Sequence, residues 1–108
     1  MGKSYLSYSA TAILQAVANG YQYGFDIMDI TGLPSGTVYP ALRRLEESGF
    51  VRSKWEKQSI AQQDQRPPRK YYELTRPGEE ALAEAAKRYR LLEQPPALKP
   101  SKPTSERG

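Results

Sequence analysis

A chain of 108 residues, 38% of them hydrophobic, supports one modest core and so one domain, and any site lies on that domain or between copies of it. Neither cysteine nor histidine occurs, which excludes disulfides and thiolate metal centres and removes the commonest general base and nearly every zinc or haem ligand set. The net charge of +4 resides in residues 34–76, where nine Lys and Arg stand against five Asp and Glu, an excess that suits a polyanion but also an ordinary solvated basic face.

Over residues 5–18, Leu6, Ala10, Ile13, Leu14 and Val17 make the apolar stripe of an amphipathic helix, which Asn19-Gly20 ends. A second, short helix is predicted over 24–31, with Gly32 in the left-handed position after its end. Leu33-Pro34-Ser35 forms a tight turn ending in a good N-cap. The third helix, residues 36–48, buries Val38, Ala41, Leu42 and Leu45 and stops at Gly49. Pro40 conflicts with it, because its missing N–H would have bonded the Gly36 carbonyl.

Beyond Gly49 the period changes to two. Val51, Ser53 and Trp55 are expected to face in and Arg52, Lys54 and Glu56 out. A polar stretch with Pro67-Pro68, residues 58–69, reads as a loop, and 70–75 alternates again with Tyr72 and Leu74 inward. Strand, long basic loop and strand make a wing. Thr75 caps a last helix over 76–94, with Pro77 in its first turn and Lys87, Arg88 and Arg90 near its negative end. Residues 95–108 are too polar and proline-rich to bury a core and are expected to be a disordered tail.

This order predicts an α+β, mostly α fold: a winged helix-turn-helix of three helices and a two-stranded wing over 1–75, plus one C-terminal helix over 76–94. In that geometry the third helix enters the major groove of double-stranded DNA. Its exposed Ser35, Thr37 and Tyr39 are then the base readers, Gly36 lets the backbone approach, and Arg43 and Arg44 pair with phosphate or guanine. Arg66, Arg69 and Lys70, beside two prolines, are expected to lay cations along the backbone or into the minor groove. The plainer alternative is a capping serine and solvated charges.

The run Pro34-Ser35-Gly36-Thr37-Val38-Tyr39-Pro40-Ala41-Leu42-Arg43-Arg44-Leu45-Glu46, then Gly49, Trp55-Glu56 and Arg66-Pro67-Pro68-Arg69-Lys70-Tyr71-Tyr72-Glu73-Leu74-Thr75 resembles the PadR family of bacterial transcriptional regulators. Tyr23-Gly24-Phe25 is similar to the family's aromatic-glycine-aromatic start to the second helix, and the family pattern also carries the proline at Pro40. The resemblance implies a dimeric winged-helix repressor, often released by a small aromatic or drug-like molecule. A single C-terminal helix resembles the short subgroup, in which that helix makes the dimer. The chain departs from the pattern in a shorter second helix and in Arg-Pro-Pro-Arg where Arg-Pro-Arg is common.

Leu82, Ala85, Tyr89 and Leu92 have the spacing of a coiled-coil seam, and Ala81 and Ala86 would admit a partner helix, so a homodimer and a palindromic operator are expected. The alternative is that the helix folds back on the chain's own first helix. Tyr5, Tyr8 and Tyr89 are candidates for an effector pocket. Asp26 and Asp29 are the one pair of carboxylates that could suggest catalysis, and a solubilising role suits them better, so no enzyme, cofactor or metal is expected. The rival reading is a protein-interaction module without DNA binding. No apolar stretch approaches the roughly 20 residues of a membrane span, and residues 1–5 open no signal peptide, so a soluble cytoplasmic protein is expected.

Overall fold

The computed structural model describes residues 6–89. In chain order these form α1 (Tyr8–Ala18), α2 (Gly24–Thr31), α3 (Ser35–Glu47), β1 (Val51–Trp55), α4 (Gln58–Gln63), β2 (Lys70–Leu74) and α5 (Arg76–Arg88). The mostly helical body with one antiparallel hairpin is the winged helix-turn-helix expected from the patterning.

Helix α1 begins at Tyr8 rather than at residue 5, because Ser7 supplies the cap. Its hydroxyl accepts the Ala10 N–H at 3.0 Å, and its carbonyl takes the hydroxyl of buried Thr11 at 2.8 Å. The inward stripe of α1 then meets Ile27 from α2 and Val38, Leu42 and Leu45 from α3 in a single core. Gly32 ends α2 in the left-handed region at φ +75°.

Helix α3 starts one residue earlier than the sequence suggests. Pro34 occupies the cap position, its carbonyl accepting from Thr37 and Val38 at 2.9 and 3.0 Å, so Ser35 is a helical residue and its side chain makes no cap bond. Pro40 sits inside α3, yet both it and Gly36 are exposed, so water can reach the carbonyl that proline leaves unpaired.

The hairpin pairs Val51 with Leu74 and runs in register to Trp55 opposite Lys70. The inward face loses cover along its length: Val51 is buried, Ser53 half-buried, and Trp55, expected inward, is 66% exposed. Alternation still sets the face, but cover runs out before the last residue. The connection between the strands also departs from the loop expectation. It holds the short helix α4, anchored by buried Ala61, whose carbonyl accepts the Arg66 N–H at 3.1 Å. A second unexpected pairing joins Tyr23 to Tyr71, with the Tyr72 N–H bonded to the Gln22 carbonyl at 2.9 Å, so the segment before α2 lies along the wing.

Helix α5 closes the body. Thr75 caps it by accepting the Gly78 N–H at 3.0 Å, while its own hydroxyl donates to the Gly49 carbonyl at 2.6 Å. Of the proposed dimer seam, Leu82 (9% exposed) and Ala85 (1%) are covered by this chain itself, α5 packing on α1. Ala86 is half-buried, and Tyr89 sets its ring edge-on to Tyr8 at 5.2 Å and donates its hydroxyl to the Leu6 carbonyl at 3.1 Å. The first turns of the seam are thus spent in cis, the alternative the sequence left open. The chain covers that face itself, with Leu82 joining the common core. Helix α5 ends at Arg88, short of the expected 94, because Tyr89 leaves the helical region at φ −114° and ψ 78°; Tyr5, Leu92 and the tail lie outside the described residues. Among the described residues no helix is long and apolar enough to cross a membrane.

Candidate nucleic-acid interface

Helix α3 is two-faced for a simple reason. Its apolar residues Val38, Ala41, Leu42 and Leu45 recur at helical spacing and are buried, which turns Ser35, Gly36, Tyr39, Pro40 and Arg43 outward together. Thr37 is half-buried on one flank, with exposed Arg44 two turns on. An added methyl at Gly24 would run into the ring and hydroxyl of Tyr39, so glycine at the start of α2 is what lets that tyrosine lie down across it.

The wing brings its cations to the same side. A cleft of about 700 Å³ is bounded by Phe25 and Asp26 at the start of α2, by Tyr39, Arg43 and Glu46 on α3, and by Arg69, Lys70 and Tyr72 on the wing. Residues some thirty positions apart thereby surround one opening. Lys70 holds its ammonium 5.9 Å from the Trp55 ring and 6.0 Å from that of Tyr72, within cation–π range. Glu46 accepts the Ser53 hydroxyl at 2.6 Å, tying α3 to β1. Burial pushes the Tyr72 phenol above its ordinary range. On the outer face, Arg52 and Lys54 both approach Glu73 at 3.3 Å, and their hydrogen bonds hold its carboxyl below the usual range.

Of the three wing cations picked from sequence, Arg69 and Lys70 are exposed and Arg66 is not. Its side chain is 20% exposed and grips Glu56 with both terminal nitrogens, at 2.6 and 3.1 Å, while also meeting Asp64 at 3.2 Å. Glu56, assigned by alternation to the solvent face, is only 7% exposed at its side chain. It further accepts the Arg69 N–H and the Tyr23 hydroxyl, each at 3.0 Å. The Arg66 hydrogen bonds outweigh burial and, helped by the other donors, lower its pKa to about 2. The same contact raises that of Arg66. Burial first, then the neighbouring carboxylate, raises that of Tyr23.

Sequence reasoning passed over Glu56, Phe25 and Trp55 as site residues. Trp55-Glu56 and Tyr23-Gly24-Phe25 stood out as motifs, but a contact spanning 33 positions leaves no periodic trace. The effector tyrosines fare differently: Tyr8 and Tyr89 pack on each other, and the small groove of about 270 Å³ beside Tyr8 is lined by Ala12, Ala16, Tyr21, Ile30 and Leu33 rather than by Tyr89.

Solved structures share this fold. A PadR family transcription regulator from hypervirulent Clostridium difficile R20291 is 25% identical with a TM-score of 0.67, over 81% of this chain and 92% of that one. A PadR-like transcription factor from Bacteroides fragilis is 29% identical with a TM-score of 0.63, over 78% and 82%. At 18% identity, Bordetella bronchiseptica BpsR, whose DNA binding is regulated by 6-hydroxynicotinic acid, shares the fold with a TM-score of 0.66, over 93% and 73%. Among curated proteins no relative matches the sequence. The transcriptional regulator PadR-like family matches residues 13–84, from the middle of α1 to the last turns of α5, and the chain therefore belongs to this family of transcriptional regulators, which are not enzymes.

Proposed function

We propose that this regulator is a sequence-specific, double-stranded DNA-binding repressor that works as a homodimer. The observation that carries the reading is the single cleft in which Tyr39 and Arg43 of α3 face Arg69 and Lys70 of the wing. With α3 in the major groove, Ser35, Thr37 and Tyr39 read base edges, exposed Gly36 and Pro40 allow close backbone approach, and Arg43 and Arg44 pair with phosphate or guanine. Arg69 and Lys70 take the flanking backbone. Residues 1–75 carry the DNA-binding role, and residues 76–94 carry the dimer, with Ala86 on the part of α5 left half-covered. A two-fold dimer calls for a palindromic operator with half-sites about 34–36 Å apart or a multiple of that.

Release by a small aromatic molecule is supported by the ligand-regulated DNA binding of the Bordetella protein, a fold-level likeness. The test is salt. If a dimer contacts six to ten phosphates, affinity should fall about 10³- to 10⁵-fold between about 50 and 200 mM salt, and Arg69→Ala should lower the log–log slope by about 0.9 per contact removed. Thr37→Ala and Tyr39→Ala should instead relax preference at particular bases while leaving affinity for scrambled DNA nearly unchanged. A salt-insensitive protein would favour the interaction-module reading.

A further inference from the structure

The wing cations hang from one carboxylate. Glu56 stands just past β1, and its N–H donates to the Arg69 carbonyl at 2.8 Å while its side chain accepts the Arg69 N–H at 3.0 Å. Arg69 is thus held on both its backbone donor and its backbone acceptor by a single residue. Arg66 closes the α4 connection onto the same side chain with a two-pronged, charge-assisted contact. The remaining donor, the Tyr23 hydroxyl, comes from the residue before α2, beside Gly24, over which Tyr39 of α3 lies. The cluster therefore joins the wing to the helical pair that presents α3.

On the reading of DNA binding above, we propose that Glu56, clasped by Arg66 and Tyr23, is a positioning latch that sets Arg69 and Lys70 at a fixed place relative to α3, and that Arg66 serves the latch rather than a phosphate. A wing ordered before binding spares the complex the entropy of ordering it on the duplex. By charge alone, a carboxylate near the DNA-facing surface opposes binding, and removing it would free a cation as well. The two accounts predict opposite signs for one substitution.

Glu56→Gln, made in the full chain and titrated with a mixed-sequence double-stranded DNA fragment, should bind on the order of tenfold more weakly. Equal or tighter binding overturns the latch. If that variant loses its fold, Tyr23→Phe, which removes a hydroxyl and no charge, takes its place; it should weaken binding several-fold, and unchanged affinity overturns the proposal. Arg66→Ala should weaken binding with the salt slope retained, and a slope reduced by about 0.9, as for Arg69→Ala, would place Arg66 on a phosphate and overturn its role. Should the wild type show no salt-sensitive affinity at all, the DNA reading fails separately. The latch is then judged by hydrogen exchange at the Arg69 amide: faster exchange confined to the wing in Glu56→Gln upholds it, and unchanged exchange overturns it.

Discussion

Glu56 shows how a single side chain's environment becomes a pH dependence. Its folded pKa, about 2, lies below the ordinary 4.5, so the carboxylate contributes stability that is fully present above about 4.5 and is lost as pH falls from there toward 2. The groups facing it are Arg66, Tyr23 and the Arg69 amide, with Asp64 on the far side of Arg66. Neither the guanidinium nor the phenol titrates in that window. The Arg69 amide resonance, followed by NMR, should therefore move with pH over this range in the wild type and lie flat in Glu56→Gln. Gly78 makes a different kind of residue-scale statement. A methyl there would collide with the Phe50 carbonyl, which is backbone and cannot swing away. Gly78→Ala should cost about 1–3 kcal/mol, visible as a lowered melting temperature, by prying α5 off the turn after α3.

Elements differ in how openly their residues declare them. Helices α1, α3 and α5 each bury a stripe wide enough to show at the helical period, and Gly32 and Gly49, at φ +75° and +82°, end α2 and α3 as their positions suggest. Helix α4 was invisible for the reverse reason. Six residues hold one turn and a half, of which only Ala61 is buried, so no period can be read. The wing's two faces were legible as alternation, but where cover ended was not, which is why Trp55 proved exposed. The face of α3 that meets the cleft could be read from its own apolar positions. Its partnership with Arg69 and Lys70 followed from the winged-helix pattern and not from any period within α3.

Taken as a whole, the molecule is one core to which α5 contributes, and that changes what substitutions on its seam should do. Leu82 is part of the core, so Leu82→Ala should cost about 2–5 kcal/mol of folding stability and lower the melting temperature whether or not a dimer forms. On the homodimer proposed above, Leu92→Asp should yield a monomer by sedimentation, with the melting temperature lowered by no more than the lost association accounts for. An unchanged dimer mass for Leu92→Asp would point to another interface.

Periodicity and turn chemistry were enough to establish the order of elements apart from α4, the apolar face of each long helix and the winged helix-turn-helix fold, and two motif runs pointed to the family by resemblance. These are local properties, written in residues a turn or a pleat apart. Tertiary structure alone decided that Arg66 closes on Glu56, that Tyr23 joins it from across the fold, and that the start of α5 packs on its own α1. Each is a choice among partners distant in sequence, settled by which buried charges and apolar faces can be satisfied together.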